Sequence, residues 1–396
     1  MSLDADIVVV GAGPAGLAFC RSLAQSPVSM IVVEKQEQES IAKPLFDGRE
    51  IALTHASRHA MEKFGIWDHV PADEIYLLRD AKVLDGTSDY LLHFPQPDSS
   101  SKKEGLGYFI ANHNIRQASY DAVSTQDNVQ IRYGHGVADV ALSEKGAVVT
   151  LEDGSSIKCR LVVAADSRFS NTRRKMGIGA DWNDFGRTVH VFRMEHSISN
   201  EHTAIECFSY GRTLAILPLD EHLCSCVVTI DSHRAHEISD LGPEDLEQTI
   251  MEQLKHRLGK MKFVEKMVTY PLVGVHAKQF YGQSCAVIGD AAVGMHPVTA
   301  HGYNLGLQSA VILGQLIDEA ARAGQDIASP RLLSRYNIKH MMSTRTIYHG
   351  TNFVVKLFTA ETPPAKLLRK AVMRISNNLP PVKYLISRQL THVSHR

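Results

Sequence analysis

Hydrophobic positions fall into three rhythms along this chain. DIVVV (6–10) is an unbroken apolar run, as in a strand buried on both faces of a parallel sheet. GAGPAGLAFCRSLAQS follows, with Leu17, Cys20, Leu23 and Ala24 at roughly helical spacing, and MIVVEK then reads as a second strand. LVVAAD (161–166) and the run ending at Gly289–Asp290 repeat the motif of a buried strand closed by an acid. After the second of these, YNLGLQSAVILGQLIDEAARAG predicts a helix starting near Asn304. The middle of the chain is different: residues 76–94 and 188–230 alternate and turn like antiparallel strands. Residues 242–259 predict a helix, with Pro243 at its start and Gly259 at its end. Pro363–Pro364 and Pro380–Pro381 bracket a late helix, AKLLRKAVMRISNNL. The pattern predicts an α/β unit from residues 1–73, 105–180 and 275–345. An antiparallel-sheet unit (74–104 and 181–274) is inserted in it, and a helical segment (346–396) follows.

Composition narrows the classes. A chain of 396 residues with 44% hydrophobic and 21% charged residues can bury a large core and exceeds the usual single-domain size. A formal net charge of −1 gives no global reason to bind nucleic acid. The six cysteines are scattered, mostly in apolar strand-like surroundings, which reads as reduced thiols. CSC at 224–226 has no second Cys/His pair at ligand spacing, so no metal site is predicted. MSLDADIVVVGAG carries acids in place of a basic leader, and no apolar run reaches membrane-spanning length; the expectation is a cytoplasmic chain.

The candidate chemistry begins at the first turn. Gly11, Gly13 and Gly16 form G-x-G-x-x-G between a strand and a helix, and Glu34 ends the second strand 23 residues after Gly11. In that context the motif is a dinucleotide fingerprint: the first glycine permits the turn, the second admits a pyrophosphate, and the third lets helix and strand pack closely. Glu34 then accepts hydrogen bonds from the adenosine ribose, with Ala15 and Lys35 among the contacting positions. GIG at 177–179 lacks such a context, so one tightly held dinucleotide is expected. The stretch from Val287 to Gly306 is short of side chains beside a helix start, so the backbone can approach a ligand closely.

With LVVAADSRFSNTRR as the middle motif, this series resembles the class A flavin-dependent aromatic monooxygenases of the para-hydroxybenzoate hydroxylase fold, over nearly the whole chain. Within that class it is most similar to the ubiquinone-biosynthesis hydroxylases (UbiH, UbiF, UbiI and UbiM), through GREIALTHASRHAMEKFGIWDHV (48–70), HTAIECFSYGRTLAILPL (202–219) and GYNLGLQSA (302–310). The resemblance implies a Rossmann-like FAD-binding domain with an inserted antiparallel-sheet substrate domain. NAD(P)H reduces the FAD, O₂ adds at C4a, and the hydroperoxide hydroxylates an electron-rich phenol. It places Gly289 and Asp290 on the ribityl or pyrophosphate side and Arg49 near the flavin or pyrophosphate. Asp166 and Arg173 fall in the motif tied to FAD and transient NAD(P)H binding. His296, Pro297, His301, Gly302, Tyr303 and Asn304 line the isoalloxazine, with His296, Pro297 and His301 nearest the chemistry. Leu217 and Pro218 belong to the substrate wall.

Four positions depart from the family pattern. Val293 replaces a usual His, Ala300–His301 precede Gly302 in place of Gly-Gln, and Ser167 stands where the middle motif has Gly. These changes fit the UbiM-type branch best. The implied substrate is a lipid-soluble, polyprenylated phenolic quinone precursor, since no Arg–Tyr anchor for a carboxylate is evident in the substrate strand. A soluble catabolic phenol, or a non-catalytic scaffold role in a quinone-synthesis assembly, stays open from the residues alone. The tail from Glu361 to Arg396 carries seven Lys/Arg against one acid. KLLRKAVMRI can form an amphipathic helix, suited to a membrane surface, a quinone-synthesis protein complex, or packing on the FAD domain.

Overall fold

The computed structural model describes residues 3–85, 91–94, 105–209, 211–295 and 301–359. His296, Pro297, Ala300 and the basic tail lie outside them, so the expectations placed on those positions have no structural counterpart.

The predicted nucleotide unit is built on a sheet with strand order Tyr281–Gly282, Cys285–Val287, Leu161–Ala164, Ile7–Val10, Met30–Val33, Val129–Arg132. All pairings are parallel except the terminal hairpin from Tyr281 to Val287. Its central strands are buried at every position, which is why their sequences are apolar without alternation. The runs closed by Asp166 and Asp290 thus lie side by side, Ile7–Val10 separates them from the run closed by Glu34, and the C-terminal ends of all four strands share one edge of the sheet. Helix Pro14–Ser22 packs closely against helix Gly302–Arg322: a Cβ on Gly314 would lie 2.0 Å from the Ser22 hydroxyl, and one on Gly306 3.6 Å from the Ala15 Cβ.

The second large sheet runs Val293–Gly294, Val268–Ala277, Ala180–His196, Leu223–Asp231, Arg212–Asp220, Thr203–Ser209, Asp80–Asp85, Leu91–Phe94, with Met261–Phe263 pairing onto Ala180–His196. The strand-rich reading of 188–230 corresponds to antiparallel neighbours here. Residues 76–94 divide. Tyr76–Leu78 joins a small sheet with Glu50–Leu53 and Gly107–Ala111, whereas Asp80–Asp85 pairs antiparallel with Leu91–Phe94 but parallel to Thr203–Ser209. That parallel contact is long-range and leaves no local sequence trace. The helix expected over 242–259 ends at Gln253, because Lys255 and His256 take left-handed conformations that close it early. A further three-stranded sheet spans Val137–Cys159.

Two apolar cores result. One fills both faces of the parallel sheet; the other lies between one face of the large sheet (Ile205, Cys207, Leu214, Ile216, Cys226, Val228) and helix Pro243–Gln253. The opposite face of the large sheet carries only a small cluster: Val189, Val191 and Leu272, with Val227 and Tyr270 partly buried beside them. All six cysteines are free and buried.

Candidate functional site

Gly11 has φ +107°, and a Cβ there would sit 2.6 Å from the Ala165 carbonyl oxygen. On Gly16 a Cβ would come within 2.2 Å of the Gly11 oxygen. Both glycines are therefore demanded by the protein's own packing. Gly13 differs: it is extended at the N-terminus of helix Pro14–Ser22, and a Cβ on it would meet nothing within 4 Å. The space over the helix start is open, as a pyrophosphate on its N–H groups requires. Glu34 is buried, with Oε2 accepting from the Ala12 amide (2.7 Å) and Oε1 from the Gln36 amide (2.9 Å). It fixes the turn it was expected to serve. Lys35, next to it, is exposed.

The second and third motifs meet each other. Asp166 accepts hydrogen bonds from the Ser170 hydroxyl and from the Thr172 amide and hydroxyl, capping helix Asn171–Lys175. Arg173 is fully buried; its Nη1 donates to the Ala291 carbonyl (2.7 Å), and its guanidinium lies 5.8 Å from the Trp182 ring centroid. It joins two loops and is enclosed away from solvent. Arg168, which neither spacing nor resemblance had singled out, donates to Asp290 (3.1 Å) and to the Val273 carbonyl (3.0 Å). One side chain thereby ties the middle motif, the Gly289–Asp290 turn and the large sheet together. The Asp290 carboxylate keeps 37% exposure, so one flank remains open to a ligand. Ser167 adopts φ +127°, a left-handed conformation that favours the glycine the family has there.

Arg49 and its surroundings form the facing wall. Arg49 donates to Asp47 (2.5 and 3.1 Å), and the Asn112 amide donates to the same oxygen (2.7 Å). Burial pushes the Asp47 carboxyl up, but these hydrogen bonds outweigh it and hold it below its usual range. Burial likewise disfavours the Arg49 charge, yet Asp47 chiefly, with Asp290 and Tyr270 further off, raises its pKa. Arg49 and Asp290 therefore address one space. Next to it Gly48, with φ +76°, presses on the large sheet: a Cβ there would be 3.1 Å from Val268 and 3.6 Å from Val191. Glu50 is buried and pairs with Arg193 (2.7 Å), which also reaches Glu265 (3.4 Å) and covers the Phe46 ring at 4.7 Å. This network, also unforeseen, locks the Arg49 segment onto the sheet.

Helix Gly302–Arg322 starts two residues before Asn304, with His301 buried at its N-cap and Gly302 open to space. Asn304 does not face outward. Its amide donates to the Ala52 carbonyl (2.8 Å), and its oxygen accepts from the Thr54 amide (3.1 Å), which anchors the helix start to the segment after Arg49. Tyr303 is packed against the main core, and burial raises its hydroxyl pKa. Leu217 is half-buried and Pro218 buried on strand Arg212–Asp220. The structure thus gathers the Gly11–Gly16 turn, Arg49, Gly289–Asp290 and the Gly302 helix start, and uses Asp166, Arg173 and Asn304 as internal ties. The turn geometry, the open space at Gly13 and Gly302 and the Arg49/Asp290 charges fit a dinucleotide flavin.

A family model described as the FAD binding domain matches residues 4–347. Ubiquinone hydroxylase UbiM of Neisseria meningitidis is 55% identical over 393 residues, covering 99% of this chain and 85% of that protein. Ubiquinone hydroxylase UbiL of Rhodospirillum rubrum is 29% identical, covering 97% and 89%. Among solved structures, p-nitrophenol 4-monooxygenase PnpA of Pseudomonas putida superposes with a TM-score of 0.76 at 17% identity, with 99% of both chains covered, a likeness of fold. The chain belongs to the FAD-binding-domain family and, within it, to the ubiquinone hydroxylases of the class A flavin monooxygenases.

Proposed function

We propose that this FAD-dependent monooxygenase hydroxylates the aromatic ring of a polyprenylated phenol on the route to ubiquinone, using NAD(P)H and O₂. The observation that carries this reading is the face of the large sheet turned away from helix Pro243–Gln253. Thr213, Ala215 and Leu217 on one strand and Val227 on the next are small or apolar and half-buried, and Val227 pairs with Val191, over which Gly48 sits. Such a floor suits an uncharged ring with a greasy substituent.

Bound flavin supplies the hydride and oxygen chemistry, and the chain supplies binding, orientation and exclusion of water. The Gly11–Gly16 turn would hold the pyrophosphate, Glu34 the ribose, and Asp290 with Arg168 the ribityl side. The N-terminal end of helix Gly302–Arg322 would offer its positive pole to the ring edge that gains charge on reduction. His296, Pro297 and His301 complete the ring's surroundings in this proposal. Residues 1–73, 105–180 and 275–345 act as the FAD-binding unit, 74–104 and 181–274 as the substrate unit, and 346–396 as a C-terminal helical segment. Among the described residues no helix is long and apolar enough to cross a membrane. A cytoplasmic chain peripheral to the inner membrane, docked through its basic tail to anionic lipid or to a quinone-synthesis complex, gives access to a lipid-soluble precursor. Flotation with anionic liposomes, comparing intact protein with one truncated after Thr362, tests the docking.

The reaction is tested by deleting the gene and profiling quinones. A precursor lacking one ring hydroxyl should accumulate and disappear on complementation. Unchanged ubiquinone in a strain without another ring hydroxylase would overturn the assignment.

A further inference from the structure

The face of the large sheet turned away from helix Pro243–Gln253 carries one residue out of keeping with its surroundings. The pairing register sets Glu206 opposite Ala215 and Val83, Ala215 opposite Val227, Val227 opposite Val191 and Val191 opposite Val268. Residues directly opposite in a ladder point to the same face. Glu206 thus interrupts a row that is otherwise Val and Ala, with Leu92 beyond Val83, and the other end of that row lies under Gly48, next to Arg49. Three strand spacings separate Glu206 from Val191, roughly 14 Å. Between them stand only Ala215 and Val227, the smallest part of the floor.

Its neighbours Ile205 and Cys207 point the other way, into the core beneath helix Pro243–Gln253. Among the described residues, no hydrogen bond or ion pair engages the Glu206 carboxylate. Burial pushes its pKa up to about 8 although the side chain keeps partial accessibility, the combination expected of a group lining a deep cleft. The other titratable groups are turned elsewhere. Cys207, which interacts electrostatically with Glu206, lies on the opposite face; Lys82 sits beside Ile205 on that face too; Arg212 is bound to Gln253; Arg193, nearer Glu50, is committed to Glu50 and Glu265; Tyr270 belongs to the adjoining row near Arg49; and Tyr76, on the strand packed over Arg212–Asp220, donates to Glu74. An unpaired carboxyl in an apolar wall is expensive unless a ligand uses it.

We propose that Glu206 is a substrate-binding catalytic residue that accepts the hydrogen bond of the phenolic O–H and takes its proton as the ring is attacked. The inference rests on the phenol reading above and adds the residue that recognises the hydroxyl. The phenolic O–H bond breaks and a carboxyl O–H bond forms, leaving a phenolate whose ring is more electron-rich. The proton returns to the same oxygen when the hydroxylated carbon loses its hydrogen to solvent. The oxidant and electrons are those of the flavin reaction itself. Once ionised, the same carboxylate repels a ring bearing a carboxylate, so above about pH 8 the site prefers phenols to hydroxybenzoates.

The test uses FAD-loaded enzyme, with 4-alkylphenols and 4-hydroxybenzoates bearing equal alkyl chains as probes, and reads binding from the perturbed flavin absorbance. Wild type should bind the alkylphenols with an affinity that changes through about pH 8 and should discriminate against the benzoates. Glu206→Gln and Glu206→Leu should keep FAD, lose at least tenfold in alkylphenol affinity or in kcat, flatten the pH profile near 8, and narrow the gap between phenol and benzoate. A carboxyl raised from 4.5 to about 8 stabilises the fold fully below 4.5 and loses that contribution as pH rises through 8, so both variants should melt higher than wild type at pH 9 and not at pH 4. Variants that bind alkylphenols with wild-type affinity and pH dependence overturn the role of Glu206 and leave the phenol reading intact. If no alkylphenol perturbs the flavin of wild type or variants, the phenol reading itself falls.

Discussion

The first glycine turn and the Asp166–Asp290 junction both face the cofactor space, but they are built on opposite terms. At Gly11 and Gly16 the backbone leaves no room for a side chain, and the clash partners are other main-chain atoms. Those atoms cannot move aside, so the residue type is dictated locally. At the junction the same job of closing three chain segments together is done by side chains: Arg168 reaches Asp290 and Val273, and Arg173 reaches Ala291. Side chains of that length have alternatives, and the junction tolerates Ser167 at a left-handed position where the turn could not. A site element made of backbone is rigid and legible; one made of long polar side chains is adaptable and hidden.

That contrast can be broken at Gly13, which belongs to the turn yet has open space above it. Gly13→Val should fold, because its extended backbone suits any residue, but purify colourless, because the side chain occupies the pyrophosphate's place. Full FAD content by absorbance would show that the open space is not the cofactor's. Gly11→Ala should do the reverse and damage the fold itself, by about 3 kcal/mol, from left-handed strain plus the overlap with Ala165. Denaturant titration of the apoprotein measures it, and a loss below ~1 kcal/mol would mean that the turn can relax.

On the junction side the effects should be smaller. Arg173→Met removes the donor to a buried carbonyl and should cost about 2 kcal/mol in thermal or denaturant unfolding while FAD affinity, measured at a temperature where the fold persists, changes little. Asp290→Ala should weaken FAD retention by roughly tenfold with little loss of stability, because the partly exposed pair with Arg168 contributes little to folding by itself. Equal FAD affinity in that variant would reduce Asp290 to a turn residue. Ser167→Gly is the mildest change: relief of the left-handed conformation should stabilise the fold by about 1 kcal/mol, readable as a rise in Tm.

What could be read beforehand follows the same division. Apolar runs without alternation announced the parallel strands, and Gly-x-Gly-x-x-Gly with Glu34 announced the turn, since each is fixed by neighbours a few residues away. The early end of the 243–253 helix at Lys255–His256 was not legible, because non-glycine residues took the left-handed positions. Asn304 was expected at the flavin, and the bonds its amide group makes to Ala52 and Thr54, partners about 250 residues away, had no local signal.

The sequence by itself determined the two kinds of sheet, the position of the dinucleotide turn and the acids that close the strands, because these depend on periodicity and on backbone space within one short segment. Only the tertiary structure decided which side chains meet. It placed Asp80–Asp85 parallel to Thr203–Ser209, brought Arg168 to Asp290 across 122 residues, and turned Glu206 away from the core of its own strand onto the open face. Alternation in a strand says that successive residues face apart. Which of the two faces meets the core and which a ligand depends on what packs there, and that is settled by distant parts of the chain.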